Sequence, residues 1–562
     1  MNALKETIRR RVEPLRSRAL VVAVVSAALA LVATWRPGRA APTPRPRLVL
    51  FVSVDQMRAD YLERFAPLFR GGFRALLDRG AVFSRSLYRH ANTETGPGHA
   101  LLLSGRHARD NGVVANVWYD RVTRRSLNVV EDPSVSPLGG PGQGRSPANF
   151  IGLTLGDRLK RASPDSKVVG VALKDRSAIL MAGPRADAAY WYDSDSGHFI
   201  TSTYYMKAAP AWLDAWNAQG RFDALHGRLW TRLLPDAAVY ERYAGPDQVE
   251  GEWDRKDTVF PHAIRGAPRS PQFYDDLRRT PYADELTLEF ALRALDAHEL
   301  GRDEATDLLA VGFSASDIIG HTYGPDSQEQ MDQMLRLDGT LGRLFEEVER
   351  RVGPGGFVFG LSADHGAMPL VEVAQGRGQA ARREHPDALG EPVREALAAA
   401  FPGKRGLIAD FDQPHFYLDL EALAEQGVRR AEVERVIELA ALATGLVERV
   451  YTASRLLGDP PVDDPEFPLF RNAFFESRSP HVLVRLKGYV YVDDEYRGGT
   501  GHGTAEAYDR HVPMAFLGPG IKPGRYTEPC GPEEIAPTLH AILGLDYPLE
   551  IGQRVLTEML AP

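Results

Sequence analysis

Five short apolar runs punctuate the chain: RLVLFVSVD at 47–55, KVVGVAL at 167–173, DLLAVGF at 307–313, GFVFGLSA at 356–363 and VPMAFLG at 512–518. Most are apolar at odd and even positions alike and several carry β-branched residues, which suits strands buried on both faces of a parallel sheet. Helical patterns lie between several of them. A helix is expected over residues 57–69, and residues 327–351 have the length of a crossover helix. This alternation predicts an α/β fold, an open and mostly parallel sheet flanked by helices. Two stretches break it. Residues 190–280 are rich in Trp, Tyr, Pro and Gly, and residues 370–500 mix helix, strand-like segments and proline turns. Both are expected to be insertions capping the active-site edge of the sheet.

The first 41 residues follow another pattern. Lys5, Arg9, Arg10, Arg11, Arg16 and Arg18 precede an uncharged apolar run at 19–35, and Gly38, Ala40 and Ala41 follow it. That order describes a secretory signal peptide. The alternative is an anchor in the inner membrane through residues 19–35, because the run is slightly long for a signal peptide although slightly short for a spanning helix. The expected organisation is therefore a leader at 1–41 and one catalytic domain at 42–562, exported to the periplasm. Membrane contact is expected only if the leader stays uncleaved.

Charge and cysteine content narrow the chemistry. The chain has 562 residues and a net charge of −8, with eight basic and two acidic residues in the leader, so the remainder stands at −14. No basic face invites stable nucleic-acid binding, and an anionic substrate would need a local positive site. Cys530 is the only cysteine, so no intrachain disulfide can form. Between Pro529 and Gly531 it reads as a packed or surface thiol.

Acidic and imidazole residues stand where the apolar runs end. Asp55 closes the first run, Asp317 and His321 follow the run at 307–313, and Asp364 and His365 follow the run at 356–363. His502 lies in GTGHGT, just before the run at 512–518. Ligands of open α/β sheets bind at the carboxyl ends of the strands, so these residues would converge on one edge. Singly, each has an ordinary reading: an Asp after a strand usually caps a helix, and a lone His is usually packed or exposed. As a set, mixed carboxylate and imidazole donors suit Zn²⁺ better than Mg²⁺ or Ca²⁺. A second group is ANTETGPGHALLLSG at 91–105, where Thr95 either caps a helix or presents its hydroxyl at a helix N-terminus that favours anions.

These motifs resemble the alkaline phosphatase superfamily, in its type I phosphodiesterase/nucleotide pyrophosphatase branch and closest to the threonine-nucleophile alkaline phosphatases. The resemblance spans roughly residues 47–545. It implies two Zn²⁺, with other divalent ions left open: Asp55, Thr95, Asp364 and His365 around one, and Asp317, His321 and His502 around the other. It implies that Thr95 is a nucleophile that becomes transiently phosphorylated. Asn116, 21 residues on, falls where the family binds phosphate. Lys174 and Arg176, in LKDRS, match the Lys-x-Arg of the threonine-type alkaline phosphatases. Such cations favour a monoester, which carries one more negative charge than a diester. Ala108 and Asn111 replace a Pro and a His common in the family, at positions that bind no metal. The Thr95-Gly-Pro-Gly context lacks the Cys or Ser and the Arg that a sulfatase needs.

The expected function is hydrolysis of small phosphate monoesters. The alternatives are a phosphodiesterase or nucleotide pyrophosphatase using the same metals, and an exported metal-binding protein on a disabled enzyme fold. Oligomeric state is unassigned.

Overall fold

The computed structural model describes residues 45–562, apart from 254–255, 462, 495–497, 551 and 562. The leader expected at 1–41 lies outside the described residues.

One ten-stranded sheet organises the fold. Its strands, in chain order, are β1 (Leu48–Val54), β2 (Ala81–Phe83), β3 (Pro137–Leu138), β4 (Val168–Ala172), β5 (Ala188–Asp193), β6 (His198–Ser202), β7 (Asp307–Phe313), β8 (Phe357–Ser362), β9 (Met514–Leu517) and β10 (Gly524–Tyr526). Across the sheet they run β10-β2-β9-β8-β1-β7-β4-β5-β6-β3. The contiguous stretch from β8 to β5 is parallel. Antiparallel pairs flank it, since β9 opposes β8 and β2, and β6 opposes β5 and β3. All five apolar runs of the sequence are strands of this sheet. Every side chain of β1, β4, β7 and β8 is buried, because helices cover both faces, and each fully buried Val, Leu or Phe contributes about 1.5–3 kcal/mol.

Four helices matter for the site: α1 (Thr95–Leu102), α2 (Asp175–Ala182), α3 (Ala315–Tyr323) and α4 (Gln328–Val352). The last matches the expected crossover helix within one residue at each end. Ser327 starts it by accepting from the backbone N–H of Gln330.

Two expectations are corrected. Within residues 57–69 only Tyr61–Arg64 is α-helical, and the chain then turns. Pro67 donates no hydrogen bond and restricts the residue before it, so the helix cannot extend through the segment. The first insertion does not begin at 190, because β5 and β6 are strands of the main sheet. Their aromatic residues, Tyr190, Trp191, Tyr192 and Phe199, are good strand formers packed in the core. The second divergent stretch holds a four-stranded antiparallel sheet ordered Ile408–Asp412, His415–Leu418, Val482–Leu486 and Val447–Thr452. That sheet and its helices have their own apolar cluster, including Val393, Ile437 and Phe416.

Candidate active site

Four adjacent parallel strands, β8, β1, β7 and β4, deliver functional side chains at their carboxyl ends. Asp55 follows β1, and its N–H bonds the carbonyl of Phe313 at the end of β7 (2.9 Å). Asp364 and His365 follow β8, and Lys174 follows β4. Asp317 and His321 lie on α3, four residues apart and on one face. Helix α1 brings Thr95 down onto the same edge. Gly98 permits this approach, since a Cβ there would lie 2.4 Å from the carbonyl oxygen of Asp364. Gly320 does the same on α3, where a Cβ would lie 1.9 Å from Oε1 of Gln56. Gln56, in the left-handed region at φ 60°, is thereby wedged between two carboxylates. Its N–H bonds Asp364 Oδ1 at 3.0 Å and its Nε2 bonds Asp317 Oδ1 at 3.3 Å.

Thr95 is the first residue of α1, and the cap position belongs to Glu94. The Thr95 side chain is therefore not spent on capping. Its Oγ1 lies 3.4 Å from Lys174 Nζ and 3.5 Å from Arg176 Nη2. Asn116 reaches the same point, its Oδ1 accepting from the N–H of Gly96 at 2.7 Å. Lys174 also contacts Asp317 Oδ2 at 2.7 Å and Asp55 Oδ2 at 3.3 Å. All ten residues singled out in the sequence thus stand in or directly beside one cluster.

Three imidazoles share one orientation. Nδ1 of His321 lies 2.7 Å from the carbonyl of Thr500, that of His365 lies 2.9 Å from the carbonyl of Gly366, and that of His502 lies 2.7 Å from the carbonyl of Thr93. A carbonyl can only accept, so it places the proton on Nδ1 and leaves each Nε2 as a lone-pair donor turned into the cluster. All three Nε2 atoms face Asp317 Oδ1, at 3.4 Å for His321 and 3.8 Å for His365 and His502. Asp55 Oδ1, Asp364 Oδ2 and His365 Nε2 are buried without a well-directed hydrogen bond, and their nearest polar neighbours belong to the cluster itself: His365 Nε2 lies 3.2 Å from Asp364 Oδ2 and His99 Nε2 lies 3.2 Å from Asp55 Oδ1. Buried, unpaired acceptors that face one another are costly unless a cation joins them. Two groups have ligand atoms close enough to hold one ion each: Asp317, His321 and His502, and Asp55, His99 and Asp364. The residues fit two divalent cations.

His99 was not singled out in the sequence. It is fully buried on α1, one turn after Thr95, with Nδ1 2.8 Å from the Thr95 carbonyl and Nε2 3.2 Å from Asp55 Oδ1. The signal available was its spacing, since Thr95 and His99 share one helix face.

Electrostatics follow from this crowding. Burial alone would raise the Asp317 carboxyl, but Lys174 and His321 hold it well below the usual range. Asp364 is likewise held down against burial, chiefly by His365 and His99. Asp364 in turn outweighs burial at His365 and pushes that imidazole up to about 9. Burial and the neighbouring His365 keep His502 well below its ordinary value. With the imidazoles neutral, as metal ligation requires, Asp55, Asp317 and Asp364 against Lys174 and Arg176 sum to one negative charge, and two divalent ions would make it three positive.

Comparison with known proteins identifies the family. Residues 49–438 match the family described as type I phosphodiesterase / nucleotide pyrophosphatase. The chain belongs to this family. Among its relatives, alkaline phosphatase PafA of Elizabethkingia meningoseptica is 31% identical, with 92% of this chain and 95% of that protein aligned. Alkaline phosphatase PhoV of Synechococcus elongatus is 31% identical over 92% of this chain and 93% of its own. A Myroides odoratus protein named a calcium-transporting ATPase is 32% identical over 90% and 93%. The crystal structure of PafA superposes with a TM-score of 0.84, covering 93% of this chain and all of that one (100%). The likeness to PafA therefore covers nearly the whole chain.

Proposed function

We propose that this protein is a phosphomonoesterase of alkaline phosphatase type that transfers the phosphoryl group to Thr95 and then to water. The reading rests on Thr95 Oγ1 lying 3.4 Å from Lys174 Nζ and 3.5 Å from Arg176 Nη2, with the same Lys174 also reaching the Asp317 and Asp55 carboxylates of the cluster. A solved variant of PafA is changed at a Thr, an Asn, a Lys and an Arg. The same four residue types stand here in the same order at Thr95, Asn116, Lys174 and Arg176.

Thr95 Oγ1 attacks phosphorus in line with the departing ester oxygen, and the alcohol leaves. Water then attacks the phosphothreonine, which releases phosphate and restores the hydroxyl. Two divalent cations bound to Asp55, Asp364 and His365 and to Asp317, His321 and His502, zinc by donor type, would supply Lewis acidity at the attacking and leaving oxygens. Lys174 and Arg176 bind non-bridging oxygens and stabilise the extra charge of a monoester dianion. Asn116, its Oδ1 held by the Gly96 N–H, keeps Nδ2 as a donor to another oxygen. His321, His365 and His502 are kept as lone-pair donors by their backbone carbonyls. The leader at 1–41 would export the enzyme, and anchoring through residues 19–35 is the alternative. Among the described residues no helix is long and apolar enough to cross a membrane.

The test compares turnover of an aryl phosphate monoester and its diester by the zinc-loaded protein and by Thr95→Ala. Monoester preference, lost with the hydroxyl, is expected. Preference for the diester, indifferent to Lys174→Ala, would favour the phosphodiesterase reading. Bound zinc without hydrolysis of either ester would favour the binding protein.

A further inference from the structure

A cavity of about 150 Å³ adjoins the reacting centre. On one side it is bounded by Glu94, which immediately precedes Thr95, and by His502 of the ligand cluster. On the other side stands the second antiparallel sheet, with Asp412 and Tyr417 from one hairpin and Leu483 and Arg485 from the strand beside it. The leaving group of any ester attacked by Thr95 needs a space next to the phosphoryl site, and this cavity adjoins it.

The charges around the cavity are one-sided. Arg485 is already committed, 3.0 Å from Glu466 and 2.9 Å from Glu506. His415 has its Nδ1 occupied by the N–H of Val484, and burial pushes its pKa down to about 4, so it carries no charge at neutral pH. Glu94 accepts from the N–H of Asn116 at 2.7 Å and remains an acceptor on the cavity wall. Asp412 differs from all of these. None of the described residues donates to its carboxylate or pairs with it, and burial together with Glu94 and Asp410 pushes its pKa up to about 7. A carboxylate in that position is relieved only by a proton or by a cation entering the cavity. The other walls suit a cation as well, because Tyr417, Phe470 and Tyr491 supply aromatic surface.

We propose that this cavity receives the alcohol part of the substrate and selects phosphomonoesters of small cationic amino alcohols, with Asp412 as the specificity-determining contact and Glu94 as its reinforcing charge. This rests on the phosphomonoesterase reading and names a substrate class for it. The cation would settle against Asp412 and the aromatic walls while the phosphate meets Lys174 and Arg176, so opposite ends of the substrate find opposite charges. An alcohol bearing a carboxylate or a second phosphate is disfavoured by Glu94 and Asp412. A volume of this order takes a group about the size of benzene.

The test uses zinc-loaded full-length protein and two isosteric esters, phosphocholine and 3,3-dimethylbutyl phosphate, which differ only in the quaternary nitrogen. The expected kcat/KM ratio favours phosphocholine by about tenfold, the scale of one cation held by a carboxylate and aromatic faces. In Asp412→Asn the ratio should fall toward one, and in Asp412→Lys it should invert. Equal values for the two esters in the wild type, or an unchanged ratio in Asp412→Asn, would overturn the proposal. Calorimetry of choline against 3,3-dimethylbutanol on wild-type protein gives the same comparison without a variant and without turnover, and equal binding would also overturn it. An aryl phosphate separates the two readings. Selective choline binding without any aryl phosphate turnover would sink the phosphomonoesterase reading and leave the cation subsite standing. Aryl phosphate turnover without cation selectivity would do the reverse.

Discussion

Lys174 Nζ lies 3.4 Å from Thr95 Oγ1 and 2.7 Å from Asp317 Oδ2, so a single ammonium links the proposed nucleophile to the candidate ligand cluster. With Arg176 beside the same oxygen, it would supply fixed positive charge to the third non-bridging oxygen of a monoester dianion. Replacing Lys174 or Arg176 with Ala should lower monoester kcat/KM by roughly 10²–10³. Diester kcat/KM should fall by about tenfold or less, because a diester monoanion lacks the third non-bridging oxygen and its extra charge. The ratio of the two substrates, measured on both variants, checks the assignment. An equal loss on both would assign Lys174 to ligand positioning alone.

Thr95 is buried and uses none of its hydroxyl for helix capping. Thr95→Ala should remove turnover to the detection limit, while Thr95→Ser should retain part of it because the serine hydroxyl can occupy the same place. Rapid acid quench of wild type with excess substrate, followed by intact-mass measurement, should show one added phosphoryl group that Thr95→Ala lacks. Full turnover by Thr95→Ala would remove the residue from the reaction.

Much of this site was legible because each residue sits at a strand end or in a compact motif. Asp55, Asp317, Asp364 and His365 follow apolar runs whose burial is dictated by the parallel centre of the sheet. His99 was less visible. Its role depends on a helix turn packed against Asp55 and Asp364, and a single imidazole after Gly-Pro-Gly does not reveal that packing. The walls of the adjoining cavity were not legible at all. Asp412, Tyr417 and Phe470 lie far from one another or from Glu94 in sequence, and only the pairing of the second sheet brings them together. The aromatic strands β5 and β6 were misplaced for a related reason. Tyr and Trp mark both strands and binding loops, and burial against Phe290 and Phe222 decides which.

The unpaired atoms Asp55 Oδ1, Asp364 Oδ2 and His365 Nε2 make metal removal a stability experiment as well as an activity one. Chelation should abolish turnover, and zinc should restore it. Ions that bind the folded state alone add about 2.7 kcal/mol at a hundredfold excess over Kd, so the Tm should fall on chelation and recover with zinc. His502→Ala should lower zinc stoichiometry toward one ion, because His321 and Asp317 alone make a poor site. Unchanged stoichiometry in that variant would show that His502 is not a ligand.

Alkaline pH should weaken the fold at a point outside the ligand cluster. His262 is buried, with Nδ1 3.1 Å from Asp257 Oδ1 and Nε2 2.9 Å from Glu329 Oε1. Burial opposes its charge, but the two carboxylates prevail and push its pKa up to about 9. In an unfolded chain the imidazole titrates near 6.5. A group whose pKa is raised by folding stabilises the protein fully below the unfolded value and loses that contribution as pH rises through the folded value. The window is therefore about 6.5 to 9. Glu329 lies in the first turn of α4, which follows the segment carrying Asp317 and His321, so loosening there reaches the catalytic edge. Tm measured from pH 6 to 9.5 should fall across the window in the wild type. His262→Gln should start lower at pH 6 and give a flatter curve, so that the two converge near pH 9. Parallel curves over the whole range would show that His262 does not carry the dependence.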